Sequence, residues 1–105
     1  MIPADEQALA RAAAGGDTAA FTRLVGLHKG RLFQIIRRMT GSDDVAIDLL
    51  QDVFANLWRA RARFDDRHSF GAWATRAAIN RVRDWRRRQR VRQLVAGWLP
   101  LADAP

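Results

Sequence analysis

Residues 70–92 read FGAWATRAAINRVRDWRRRQRVR, a run without proline whose apolar residues recur at helical spacing. At about 100° per residue, one arc of such a helix collects aromatic and small apolar side chains, namely Phe70, Ala74, Ala77, Ala78, Val82 and Trp85. Roughly opposite lie Arg76, Arg83, Arg87 and Arg90. Asn80 stands at the border between the two arcs, and Trp73 lies on the same flank. The pattern predicts a helix that docks on its own domain and presents a basic face to nucleic acid.

The charge of the chain is unevenly placed. The 105 residues carry a formal net charge of +7. Through Trp58 there are six basic and seven acidic residues, whereas from Arg59 onward there are twelve and four. A row of arginines with few acids repels itself unless a polyanion neutralises it. A phosphate backbone does so by counterion release, which favours a nucleic-acid surface in the second half.

Residues 48–54, DLLQDVF, predict a second surface of different chemistry. On a helix Asp48, Gln51 and Asp52 share one stripe, and the leucines, valine and phenylalanine spread over the other side. Periodicity alone also fits an ordinary solvated face. Apolar residues at the edge of the buried arc, Ile47, Phe54 and Trp58, favour a surface that a partner helix covers. Two surfaces of opposite charge imply two different partners.

The composition predicts an all-α fold. Helix formers dominate, tyrosine is absent and only three prolines occur. Four helices are predicted, with Asp17, Ser42 and Ser69 as N-terminal caps and Gly41 as a stop, at about 5–14, 18–39, 43–63 and 70–95. We expect one compact bundle over residues 1–96. Residues 97–105 are expected to form a linker or tail whose Trp98 and Leu99 pack back on the domain or on a partner.

Several classes of protein are disfavoured. There is no cysteine, so neither a disulfide framework nor a thiolate metal site is expected. His28 and His68 are the only histidines, and no catalytic triad, carboxylate pair or metal-ligand spacing is evident. We therefore expect no enzyme and no cofactor. The sequence lacks an apolar run of about 20 residues and a signal-peptide layout, so we expect a cytoplasmic protein without membrane insertion.

The motifs DLLQDVF at 48–54, Phe70-x-x-Trp73, Asn80, Asp84 and Arg87-Arg88 resemble region 2 of bacterial sigma factors of the extracytoplasmic-function (ECF) group. The resemblance extends from Ala13 to Arg90. Two departures are Ile47, where the family usually has an acid, and Ala74, where it usually has leucine. The first bears on polymerase affinity and the second on core volume.

The resemblance implies two binding functions. Asp48, Gln51 and Asp52 match positions that contact the beta-prime clamp helices of core RNA polymerase. The helix from Phe70, with the loop before it, would recognise and open the minus-10 promoter element, and Asn80 would contact an unstacked base of the non-template strand. A specificity loop for a flipped base corresponds to Phe64, Asp65, Asp66, Arg67, His68 and Ser69.

Further expectations concern the remaining residues and partners. Trp73 would lie near the point of melting, and Arg76, Arg83 and Arg87 would hold phosphates. Family members commonly bind an anti-sigma factor, and they carry a second domain, region 4, toward which the tail would lead. Two alternatives remain: a sigma-like decoy that binds an anti-sigma factor without DNA, and a general nucleic-acid-binding helical domain without polymerase affinity. Asn80 and the arginine row disfavour the decoy.

Overall fold

The computed structural model describes residues 4–98, which fold into a bundle of four helices. The helices are α1 (Ala4–Ala14), α2 (Thr18–Thr40), α3 (Asp43–Arg59) and α4 (Phe70–Trp98), with a short 3₁₀ turn at Arg61–Arg63. Helix α2 packs against the other three. No strand occurs in this described part of the chain. The predicted all-α bundle is confirmed.

The helix ends lie where local chemistry places them. The side chain of Asp17 accepts a hydrogen bond from the Ala20 N–H, and that of Ser42 accepts one from Val45. Ser69 Oγ accepts from the Ala72 N–H at 3.0 Å. Gly41 ends α2 in the left-handed conformation, with φ 75°. All four residues satisfy helix-end groups as predicted.

The core lies where the four helices meet. Its side chains are small and aliphatic apart from one aromatic ring, and they are Ala10, Ala13, Ala20, Leu24, Leu32, Ile36, Ala46, Leu49, Val53, Leu57, Phe70, Ala74, Ala78 and Val82. Buried alanines on α3 and α4 let the helix axes approach closely. Trp85, predicted in the core, is half-buried and packs against it.

Helix α3 ends at Arg59, about one turn before the predicted end near residue 63. The Ala60 N–H donates to the carbonyls of Asn56 and Trp58. The guanidinium of Arg61 lies 4.1 Å from the centre of the Trp58 ring and donates to the Trp58 carbonyl at 2.9 Å. These contacts satisfy the helix end and turn the chain into a 3₁₀ segment.

Helix α4 continues through Gly97 to Trp98, farther than predicted. A single glycine costs a helix only about 1 kcal/mol, so it does not have to end one. The last turns project from the bundle and leave Val91, Leu94, Val95 and Trp98 exposed. Trp98 is 81% exposed and so does not pack back on the domain. The alternative, that it packs on a partner, stays a prediction. Leu99 and the rest of the predicted tail lie outside the described residues.

Candidate nucleic-acid and protein interfaces

The exposed face of α3 carries Asp48, Gln51 and Asp52 together. The opposite face of the same helix is anchored by buried Leu49 and Val53. This arrangement fixes the rotation of α3, because the apolar face must remain in the core. The two aspartates and the glutamine therefore face outward as one surface. The neighbouring Ile47, which is 46% exposed, belongs to the same surface.

Asp52 is joined to α4 by an ion pair. Arg81 Nη2 donates to Asp52 Oδ2 at 2.9 Å, and Arg81 Nη1 donates to Asp84 Oδ2 at 3.3 Å. Sequence reasoning missed this contact because helical periodicity identifies the face of a residue but not its partner on another helix. The acidic face of α3 and the basic helix α4 are thus in direct contact.

The arginines of α4 divide into two groups. The carboxylate of Asp84 forms ion pairs with Arg81, Arg87 and Arg88. The distances from its oxygens to Arg87 Nη2 and Arg88 Nη2 are 2.8 and 3.3 Å. Arg86 Nη2 donates to the Met39 carbonyl near the end of α2 at 2.7 Å, which fastens α4 to α2. These side chains have partners inside the domain.

Four other arginines, Arg76, Arg83, Arg90 and Arg92, form no ion pair within residues 4–98. Each is exposed. Among the predicted phosphate-binding residues, Arg76 and Arg83 therefore carry uncompensated charge, whereas Arg87 shares the carboxylate of Asp84. Uncompensated guanidinium groups are the stronger candidates for anion binding.

A groove of about 870 Å³ runs between α2 and α4. It brings together Asn80, Arg76 and Arg83 of α4 with Ser69, which caps that helix. The other wall includes His28 and Arg31 of α2 and Glu6 of α1, which the sequence pattern did not indicate. Asn80 thus shares one concave surface with Arg76 and Arg83, whereas Arg87, also predicted to hold phosphate, does not line this groove.

The loop 64–69 is held in shape by its own hydrogen bonds. Asp65 Oδ1 accepts from the Arg67 N–H at 3.0 Å, and Asp65 Oδ2 accepts from Arg67 Nη2 at 2.7 Å. The His68 N–H donates to the Asp65 carbonyl at 3.0 Å. The side-chain hydrogen bonds from Arg67, followed by its backbone bond, lower the pKa of Asp65 to about 2. The loop therefore has a defined conformation before any ligand binds.

The same loop is anchored to α1 through Asp66. Gln7 Nε2 donates to the Asp66 carbonyl, and Arg11 Nε donates to the Asp66 carboxylate at 3.3 Å. Asp66 thus faces the bundle, while Asp65 and His68 face the pocket described next.

A smaller pocket of about 170 Å³ lies beneath the loop. Phe64 and Trp73 line it, with ring centres 5.3 Å apart. Asp65, His68 and Arg76 supply polar groups around it. Trp73 is half-buried, because it also packs on Phe70 at 5.9 Å. Aromatic walls with a polar rim suit an unstacked nucleobase.

Within residues 4–98 no group of three or more histidine, aspartate or glutamate side chains is arranged to hold a metal ion. No helix in that range combines the length and apolarity required to cross a bilayer.

Comparison with known proteins identifies the family. The family model for sigma-70 region 2 matches residues 24–92, so the chain belongs to the sigma-70 region 2 family. RNA polymerase sigma factor NccH of Alcaligenes xylosoxydans xylosoxydans is 37% identical over 102 residues, which cover 97% of this chain and 55% of that protein. Other relatives carry the name ECF RNA polymerase sigma factor. The ECF resemblance drawn from the motifs is confirmed.

Two solved structures share the fold. An engineered region 2 of sigmaE in complex with GTAAAA has a TM-score of 0.75 at 30% identity, covering 83% of this chain and 90% of that chain. CnrH in complex with the cytosolic domain of CnrY has a TM-score of 0.71 at 35% identity, covering 75% and 51%. The chain spans about half the length of the curated relatives it matches. Proteins of this family are transcription initiation factors and not enzymes.

Proposed function

We propose that this domain binds core RNA polymerase through α3 and recognises and opens the minus-10 promoter element through α4 and the loop 64–69. The observation that carries the proposal is that two faces of opposite charge lie on different helices. Asp48, Gln51 and Asp52 form an acidic surface on α3, whereas uncompensated Arg76 and Arg83 flank Asn80 in the groove of α4. Both proposed partners are macromolecules of the cytoplasm.

The α3 face is suited to a helical protein partner. The carboxylates of Asp48 and Asp52 and the amide of Gln51 offer hydrogen-bond acceptors for basic side chains. Exposed Ile47 adds apolar area beside them. The beta-prime clamp helices are the partner that the family resemblance implies. Since these α3 residues are exposed in the domain, no core residue has to move for binding.

The α4 groove is suited to a separated DNA strand. The amide of Asn80 both donates and accepts hydrogen bonds, which matches the edge of a base. Arg76 lies four residues before Asn80 and Arg83 three residues after it, on the same side of the helix. Their guanidinium groups would contact phosphates on either side of the recognised base. The related sigmaE domain in complex with GTAAAA supports this assignment.

The pocket beneath the loop would receive a base turned out of the stack. Extracting a base costs a few kcal/mol. Stacking on an aromatic side chain returns about 1–3 kcal/mol per base, and Phe64 and Trp73 supply such surfaces. Asp65 and His68 would contact the polar edge of the base. Capture of the base in this pocket would therefore keep the promoter open.

A regulatory partner of the anti-sigma type belongs to the same proposal. The related CnrH structure contains the cytosolic domain of CnrY. The alternative of a decoy without DNA binding is less well supported, because Asn80 and uncompensated Arg76 and Arg83 would have no ligand in a decoy.

Separating the two faces by mutation tests the proposal. Asp48→Arg should weaken retention by a beta-prime clamp fragment and leave binding to the minus-10 strand at or above the wild-type level. Asp5→Arg on α1 makes the same change in charge at an exposed position and serves as the control. Unchanged retention of Asp48→Arg by the clamp fragment would refute the polymerase assignment.

Asn80→Ala should give the reverse pattern. Binding to the minus-10 single strand should fall much more than binding to a scrambled strand, while retention by the clamp fragment stays unchanged. Gln93→Ala removes an exposed amide farther along the same helix and should leave binding to both strands unchanged. Equal losses on both strands for Asn80→Ala would remove its role in base recognition.

A further inference from the structure

Arg31 of α2 is held against the first turns of α4. Its Nη1 donates to Thr75 Oγ1 at 2.7 Å, and its Nη2 donates to the Gly71 carbonyl at 3.3 Å. Both acceptors are neutral. Within residues 4–98 no carboxylate forms an ion pair with Arg31. The guanidinium is therefore held by hydrogen bonds to neutral groups and has no carboxylate bound directly to it.

Glu6 of α1 and His28 of α2 form a hydrogen-bonded chain that ends at Arg31. His28 Nδ1 lies 3.3 Å from Arg31 Nη2, and His28 Nε2 contacts the carboxylate of Glu6. An arginine N–H only donates, so Nδ1 is the acceptor and Nε2–H donates to Glu6. Glu6 is thus hydrogen-bonded to His28 and forms no ion pair with Arg31.

The absence of a side chain at Gly71 leaves room for His28 and Arg31 beside the start of α4. A Cβ at Gly71 would stand 3.0 Å from His28 Cε1 and 3.4 Å from Arg31 Nη2. An alanine there would require the His28 ring to shift by a few tenths of an ångström and would touch the guanidinium of Arg31. The close approach of α2 to the start of α4 therefore depends on this position.

We propose that Arg31 is a phosphate-binding residue that extends the single-strand track from α4 onto α2. Arg31 lines the same groove of about 870 Å³ as Asn80, Arg76 and Arg83. A strand read by Asn80 is contacted along its backbone from both walls of the groove. The ligand is a phosphodiester of single-stranded nucleic acid, so the inference rests on the proposed function of α4.

The chemistry of the guanidinium permits this second role. Arginine has several N–H donors, and the contacts to Thr75 and Gly71 leave others unused. Donors that are already fixed in place bind an anion with little further loss of side-chain entropy. Arg31 is exposed, so a phosphate reaches it without rearrangement of the core.

The salt dependence of strand binding tests the inference. The logarithm of the affinity should fall less steeply with the logarithm of salt concentration in Arg31→Gln, by about 0.7 for one lost contact on a single strand. Arg31→Lys keeps the charge and should keep the wild-type slope. Arg23→Gln removes an exposed arginine of α2 outside the groove and should also leave the slope unchanged.

Two results would overturn the inference. One is an unchanged slope in Arg31→Gln, even with lower affinity, since Arg31 would then only fasten α2 to α4. The other is a drop in slope just as large in Arg23→Gln, because the slope would then report the net charge of the domain and not a contact in the groove. Thermal unfolding of each variant measures the structural contribution separately.

The same assay on a scrambled strand separates this inference from the proposed function. A phosphate contact carries no sequence information, so Arg31→Gln should lower the slope on both strands. A wild-type domain that shows no preference for the minus-10 strand, but whose slope still falls in Arg31→Gln, would refute promoter recognition and retain the Arg31 site.

Discussion

Arg81 of α4 donates a hydrogen bond to the carboxylate of Asp52 on α3 at 2.9 Å. The side chain of Arg81 is only 19% exposed, whereas that of Asp52 is 53% exposed. Asp84 holds the other end of the guanidinium. The proposed polymerase face and the proposed DNA helix therefore meet at one ion pair, and a partner that takes Asp52 must replace this hydrogen bond.

A double-mutant cycle of Asp52→Asn and Arg81→Gln should give a modest coupling energy. An ion pair with one exposed member contributes about 0.2–1 kcal/mol, because water screens the carboxylate. Urea unfolding of the two single variants and the double variant measures the coupling. The control cycle combines Asp52→Asn with Arg59→Gln, which removes an exposed arginine of α3 outside this pair. This cycle should give no coupling energy. Additive effects of Asp52→Asn and Arg81→Gln would mean that the contact contributes no stability.

The pKa of Asp65 provides a test of the loop. Hydrogen bonds from Arg67 lower this pKa from 3.8 to about 2. A lowered pKa in the folded state means that the interaction is fully present above pH 3.8 and is lost as the pH falls through about 2. The loop should therefore keep one conformation across the neutral range.

Carbon-detected NMR titration of the Asp65 carboxyl measures this pKa. In Arg67→Gln it should return toward 3.8, since the side-chain hydrogen bonds are the largest cause of the shift. Arg63→Gln removes a nearby arginine that does not bond to Asp65 and should leave the pKa low. A wild-type Asp65 that titrates near 3.8 would show that the loop is not held by Arg67.

The sequence predicted the features that depend on neighbouring residues. Asp17, Ser42 and Ser69 cap helices because each side chain reaches a backbone N–H three residues ahead. Helical periodicity also placed Leu49 and Val53 in the core, since an apolar stripe has only one stable side on which to pack.

Contacts between helices were not predictable in the same way. The bonds of Arg81 to Asp52, Arg86 to Met39 and Arg31 to Thr75 join residues 29, 47 and 44 positions apart. Periodicity specifies the side of a helix on which each arginine lies, but the helix crossing decides which acceptor it meets. From sequence alone the eight arginines of α4 therefore looked like one basic row, although several of them are bound within the domain.

Ala74 should not accept the leucine that is usual in the family. Its side chain is fully buried, at 0% exposure, among the helices of the core. Additional methylene groups in a packed core cost about 1–3 kcal/mol. Ala74→Leu should lower the melting temperature by about 4–8 °C for each kcal/mol lost in a domain of this size. Ala72→Leu, exposed on the same helix, should change stability by less than about 0.5 kcal/mol. A melting temperature of Ala74→Leu at or above that of the wild type would show that the core has space for leucine.

Gly71→Ala should fail to give the stability that alanine usually brings to a helix. Replacing an exposed helical glycine by alanine stabilises by about 1 kcal/mol, and Gly30→Ala on α2, where a Cβ meets nothing within 4 Å, is the matched control. At Gly71 the new Cβ would crowd His28 Cε1 at 3.0 Å. Thermal unfolding should therefore show a gain for Gly30→Ala and little or none for Gly71→Ala. The His28 ring signals should shift in NMR spectra of Gly71→Ala alone, because its ring must move away from α4. Equal gains in the two variants, with unchanged His28 signals, would show that α2 and α4 are not in close contact at this glycine.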